Sequence, residues 1–326
     1  MEINNSRRKN QLDSTTLILF MKYRPTFDDL LYAFLLDCKH RNLSRRTIEY
    51  FEYCLQHMNK SFLEQNQTFD PLTASLHDIQ TYFVAAMMDK GLAPHTINGR
   101  LKSCKAFFSF LRKHDYVQIN VAEQLTLVKA RKDTIHTFTN EQILQLLRIP
   151  HQKTFTGLRD YTIMIILLET GIRIGELLAM TLKDVHLKER ELRIASGKGT
   201  KARNVPFQKT CAKVLQSNID ERGAAKTETL FISLENEPLH IRTIQDRITN
   251  YGKMARIAGV RVSPHTFRHT MAKMYSRNGG DPFSLQQILD HSSLEMVYTY
   301  VRLFSNEVRE QRQRYSPVEH MKLEQT

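Results

Sequence analysis

The chain has 326 residues, enough for about two domains that each bury a core. No apolar run reaches the ~18–20 residues of a membrane span, and the run at 17–21 is too brief for a secretory signal. Forty-seven Lys and Arg against 34 Asp and Glu give a net charge of +13 and a pI near 9.6, a balance that favours nucleic acid first and anionic membrane second.

Residues 1–22 read as a polar, basic arm. From 23 to 116 the apolar spacing is helical, in four stripes. Leu30, Leu31, Phe34, Leu35 and Cys38 make the first; Ile48, Phe51, Leu55 and Met58 the second. Ile79, Phe83, Ala86 and Met87 make the third, and Ile97, Leu101, Cys104, Phe108 and Leu111 the fourth. Thr26, Ser44 and Pro94 mark starts, so a small helical bundle is expected. Two starts carry groups suited to phosphate: Ser44, Arg45, Arg46, Thr47 and Tyr50, then His95, Thr96, Asn98, Arg100 and Lys102.

Periodicity lapses over 117–137, the expected inter-domain linker. A second domain is expected over 138–302, opening on a capping box at Thr139 and Gln142. Tyr161 begins a buried helix that Gly171 stops, and another starts near Arg173. Residues 191–194 and 203–207 flank a glycine turn and read as a hairpin, with a further strand at 230–232. Helices follow at about 209–221, 240–258, 265–278, 282–290 and 293–301. The fold class is therefore mainly α with a small antiparallel β-sheet. Residues 303–326 form a polar tail, suited to docking in trans on a neighbouring subunit.

Several familiar chemistries are excluded. Cys38, Cys54, Cys104 and Cys211 lack metal spacing and read as core residues of a reducing cytoplasm. His265 and His269 stand one helical turn apart, but Thr266 occupies the place where a zincin needs Glu. Gly197-Lys198 is not followed by Ser or Thr, and Leu192 stands where a P-loop needs its first glycine. No metal, nucleotide or other cofactor is expected.

What remains suits a phosphodiester. Arg173 and Arg268 are permanently charged forks for non-bridging oxygens. Lys198 stands on a glycine turn, His265 and His291 can donate or move protons, and Tyr300 can act as a nucleophile. Tyr298 competes for that last role.

The order Arg…Lys…His-x-x-Arg…His…Tyr resembles the tyrosine recombinase, or phage integrase, family. It is carried by Thr-Gly-Ile-Arg173-Ile-Gly-Glu176-Leu, Gly-Lys198-Gly-Thr-Lys201-Ala-Arg203-Asn-Val-Pro, Pro-His265-Thr-Phe-Arg268-His and His291-Ser-Ser, and spans about 25–302. The resemblance implies a helical core-DNA-binding domain and a catalytic domain that clamp duplex DNA. Arg173 and Arg268 would hold the scissile phosphate, Lys198 protonate the leaving oxygen and His265 assist. His291 would support the phosphate, and Glu176 the site's fold. Tyr300, preferred to Tyr298 for its distance from His291, would form a 3′-phosphotyrosyl link. Lys201 and Arg203 join the expected DNA contacts. Four protomers on two DNA sites, a Holliday junction, no metal or ATP and service to a phage or transposon are further implications, with an accessory directionality factor as a possible partner. A type IB topoisomerase and an inactive DNA-binding regulator are the rivals. Asp290 departs from the pattern, which usually has glycine there.

Overall fold

The computed structural model describes residues 24–129, 136–195, 202–290 and Val297. They form two compact units that divide between Lys132 and Asp133, each with its own core. The arm and tail lie outside the described residues.

In the first unit, α1 (Phe27–His40) opens on a reciprocal cap: Asp29 N–H donates to Thr26 Oγ1 at 3.3 Å, and Thr26 N–H donates to the Asp29 carboxylate at 2.8 Å. Ser44 caps α2 (Arg45–Leu63) by accepting from Thr47 N–H at 3.1 Å. The third stripe is composite: α3 (Leu76–Ile79), a π-helical segment (Gln80–Ala85) and α4 (Ala86–Asp89). The wider turn frees the Tyr82 carbonyl, which accepts from Ser61 Oγ at 2.6 Å and Gln65 Nε2 at 2.8 Å. α5 (Pro94–Lys113) has proline in its first turn, where no N–H is missed.

These helices bury Phe34, Leu55, Met58, Phe83, Leu101, Phe107 and Phe108 almost completely. Each such side chain contributes about 1.5–3 kcal/mol of transfer free energy. Cys38, Cys54 and Cys104 are free and buried, and burial pushes the Cys104 thiol up to about 12, so it packs as a small apolar group. At Gly99 a Cβ would stand 2.2 Å from the Tyr50 hydroxyl, so the tip of the Tyr50 side chain from α2 rests against α5 where no side chain projects.

The first part of the expected linker is packed against this unit. Val121–Gln124 forms a 3-10 turn, and Ala122 and Leu125 enter the core. Asn98 Nδ2 donates to the Val128 carbonyl at 2.9 Å, and its Oδ1 accepts from Val128 N–H at 2.8 Å. Helical period is lost there because the segment follows the surface of the bundle.

The second unit opens with α6 (Asn140–Arg148), capped by Thr139 and Gln142. α7 (Phe155–Thr170) is buried on most sides and packs against α9 (Lys209–Arg222) and α11 (Pro264–Arg277). A short α8 (Ile174–Ala179) leads to the sheet. β1 (Val185–His186), β2 (Glu191–Ile194) and β3 (Arg203–Pro206) pair antiparallel in that order, with buried Leu192 opposite buried Val205. α10 (Ile241–Met254) and α12 (Pro282–Leu289) complete the elements used below.

The strand expected at 230–232 is absent among the described residues. Leu230, Phe231 and Ile232 are buried, but their backbone pairs only through the isolated bridges Thr181–Thr229 and Ile232–Pro238, and Arg159 Nη1 donates to the Ile232 carbonyl at 2.9 Å. The third strand is instead β1, whose two residues are too few to show alternation in a sequence. One polar anchor crosses this core: Asp160 on α7 accepts from Arg159 at 2.9 Å, from Tyr251 Oη at 2.6 Å and from Arg247.

Candidate active site

The last carbonyls of a helix lack intrahelical partners and lie at its negative end, which attracts cations. At the end of α12 three arginines from separate elements meet that need. Arg203 Nε on β3 donates to the Ile288 carbonyl at 3.1 Å, Arg268 Nη2 on α11 to the Leu289 carbonyl, and Arg173 Nη2 to the Asp290 carbonyl at 3.0 Å. Three consecutive carbonyls thus gather three guanidiniums.

Each arginine is delivered by local geometry. Gly171 ends α7 at φ +61°, a left-handed setting natural to glycine. A Cβ there would lie 2.3 Å from Met271 Cε and 2.9 Å from Leu289 Cδ2. The Gly171 carbonyl accepts from Arg268 Nη1 at 2.8 Å, so the same turn that stops α7 fixes one guanidinium. Two residues later Arg173 caps α8. Its N–H donates to Glu176 Oε2 at 3.0 Å, and its Nη1 donates to Glu176 Oε1 at 2.8 Å and Asp290 Oδ2 at 3.0 Å. Arg203 Nη2 reaches Glu176 Oε2 at 2.9 Å.

Burial pushes the Glu176 carboxyl up, but hydrogen bonds from Arg203 and the Arg173 N–H outweigh it and leave the group below its ordinary value. Burial alone would lower Arg173; the bonds to Glu176 and Asp290 reverse that and raise it. Among the described residues, three guanidiniums against two carboxylates leave this cluster net positive, as an anion site requires.

His265 is exposed on the first turn of α11, whose Ser263 cap accepts from Thr266 N–H. His269, one turn on, is half-buried, and burial, then His265 and Arg268, hold it below the usual histidine range. Beside His265 lies a groove lined by Arg242, Lys253 and Arg261. These three were not singled out from the sequence, although Arg242 and Lys253 stand at helical spacing on one face of α10.

The structure thus brings Arg173, Glu176 and Arg268 together, with His265 on the same helix as Arg268. Arg203, an expected DNA contact, bonds Glu176 and the Ile288 carbonyl, and its side chain is 12% exposed. Lys198, Lys201, His291 and Tyr300 lie outside the described residues. In the first unit Arg46, His95 and Lys102 are exposed. Arg45 pairs with Glu49 at 2.7 Å, and Arg100 lies over the Tyr53 ring at 5.8 Å. Tyr50 is exposed. Ser44 and Thr47 bond each other at 2.7 Å, Thr96 is half-buried, and Asn98 is committed to Val128.

The phage integrase family profile matches residues 136–307, more than half of the chain. The chain belongs to the phage integrase family. The tyrosine recombinase XerC of Thermodesulfovibrio yellowstonii is 30% identical over 231 residues, covering 68% of this chain and 76% of that one. Among solved structures, the Tn1549 transposon integrase in complex with transposon right end DNA superposes with a TM-score of 0.75 at 20% identity, covering 90% of this chain and all (100%) of that one. A λ integrase tetramer bound to a Holliday junction gives 0.70 at 15% identity, covering 88% and 80%. The fold is that of these integrases, and the protein is a tyrosine recombinase, an enzyme that breaks and rejoins DNA.

Proposed function

We propose that this recombinase acts at a specific DNA site, with Arg173 and Arg268 clamping the scissile phosphate and Tyr300 attacking it to leave a 3′-phosphotyrosyl link. The observation that carries this reading is the meeting of both guanidiniums on the adjoining carbonyls of Leu289 and Asp290. Two guanidiniums held at one helix end would stabilise the charge that grows on the non-bridging oxygens during attack. The tyrosyl ester conserves the energy of the broken strand for rejoining, so no nucleotide is consumed.

In this reading His265 assists proton movement, Lys198 protonates the leaving oxygen and His291 supports the phosphate. Glu176 holds Arg173 in place. The first unit's exposed Arg46, His95 and Lys102, and the groove beside His265, track the phosphate backbone. The junction-bound λ integrase tetramer supports an assembly of four protomers on two sites. Service to a mobile element rests on the sequence alone, on the polar arm and tail beyond the two-domain plan.

The test uses a duplex site selected by the protein from a randomised pool and then nicked as a suicide substrate. The parent protein traps a covalent adduct on it, and Tyr300→Phe traps none. An adduct that persists in Tyr300→Phe, with Tyr298 bearing the DNA, would overturn the assignment of the nucleophile. Adduct formation is expected to fall about a hundredfold in Arg268→Lys, because an ammonium cannot replace a two-pronged donor.

A further inference from the structure

Asp290 ends α12 in the left-handed region, at φ +52° and ψ +51°, a setting that glycine takes without strain and aspartate only at a cost. Its side chain does something glycine cannot: its Oδ2 accepts from Arg173 Nη1 at 3.0 Å.

The five N–H groups of Arg173 then divide unequally. Nη1 gives both of its hydrogens to carboxylates, one to Glu176 at 2.8 Å and one to Asp290. Nη2 gives one to the Asp290 carbonyl at 3.0 Å. The Nη1/Nη2 end of the fork is therefore closed by a single residue that contributes a backbone oxygen and a side-chain oxygen. The Nε–H and the remaining Nη2–H carry no hydrogen bond among the described residues, and the Arg173 side chain is 38% exposed. Those two hydrogens point along one edge, the pair of parallel donors that fits a phosphate.

We propose that the Asp290 carboxylate is a positioning residue for DNA cleavage: by holding Nη1 of Arg173 it turns the Nε/Nη2 edge of that guanidinium toward the scissile phosphate. This rests on the reading of Arg173 as a phosphate clamp. The carboxylate also withdraws one positive charge from the cluster. Positioning should therefore appear in the rate at saturating DNA, while the charge should weaken DNA binding.

Two substitutions separate these effects, and both suit a left-handed residue. Asp290→Gly removes acceptor and charge; Asp290→Asn removes the charge but keeps an amide oxygen for Nη1. Single-turnover adduct formation on the nicked suicide duplex is measured at saturation, and duplex affinity by titration. We expect Asp290→Gly to form adduct about tenfold more slowly and Asp290→Asn to stay within about twofold of the parent, while both bind as tightly or more tightly. Melting temperatures report folding separately, because relief of strain at residue 290 and loss of the ion pair with Arg173 act in opposite directions. The inference is overturned if Asp290→Gly is as fast as the parent, if Asp290→Asn is as slow as Asp290→Gly, or if the loss falls on affinity rather than rate. An unreactive parent would instead sink the reading of the site itself.

Discussion

Arg173 Nη1 lies 3.0 Å from the carboxylate of Asp290, 117 positions further along the chain, and this ion pair ties the start of α8 to the end of α12. Glu176 sits at its centre, since it receives Arg173 and Arg203 together. The start of α8 and the end of α12 are thus joined by charge.

That arrangement makes stability depend on Glu176 and on pH. Its folded carboxyl lies below the ordinary 4.5, because the bonds from Arg203 and the Arg173 N–H outweigh burial. The unfolded chain therefore takes up the proton first. The contribution is present above about pH 4.5 and is lost as pH falls through the depressed folded value. Glu176→Gln should cost about 1–3 kcal/mol at pH 7 and flatten the acid limb. Urea denaturation at pH 3.5 and pH 7 checks both; an equally steep acid limb in the variant would contradict the role.

Gly171→Ala places a methyl group 2.3 Å from Met271 Cε at a φ of +61°. Strain and collision together should cost about 1–3 kcal/mol, read as a lowered melting temperature. Because the Gly171 carbonyl also holds Arg268 Nη1, adduct formation should fall further than the loss of folded protein explains. Equal losses in both measurements would mean that the turn is only structural.

Asp160 is 2% exposed at its side chain and receives Arg159, Arg247 and the Tyr251 hydroxyl. Burial and then Asp160 push Tyr251 up to about 12, so its phenol stays a donor throughout the working range. Asp160→Ala would leave the buried Arg159 and the partly exposed Arg247 without this counter-charge. It should cost roughly 3–5 kcal/mol in denaturant unfolding, whereas a surface pair such as Arg45–Glu49 should contribute under about 1 kcal/mol.

The helices were legible because their signals are local: Thr26, Ser44 and Thr139 cap where they were read, and Gly171 stops α7. Arg173 and Arg268 were legible through motif, and the structure adds that one helix end gathers them. The ion partner of Arg203 is not legible in the sequence, because a basic residue on a hairpin looks solvent-facing until its partner is known. That partner, Glu176, stands 27 residues earlier, and no local pattern joins them. Asp290 was visible as a departure, but its purpose depends on a guanidinium delivered from far upstream.

The groove beside His265 yields the remaining expectation. Arg242, Lys253 and Arg261 line it, although Arg242 is partly neutralised by Asp246 at 3.1 Å. Lys253 and Arg261 are exposed, with no such ion pair among the described residues. If both track the DNA backbone, reversing their charge should weaken duplex binding at every sequence rather than relax specificity. Each lost phosphate contact should lower the slope of log affinity against log salt by about 0.9. Lys253→Glu and Arg261→Glu should therefore each bind less tightly at low salt, and the double variant should lose nearly two units of slope. Filter binding across a salt series on cognate and scrambled duplexes measures this. An unchanged slope would place the groove off the DNA, and a loss confined to the cognate duplex would make these residues readers of base sequence instead.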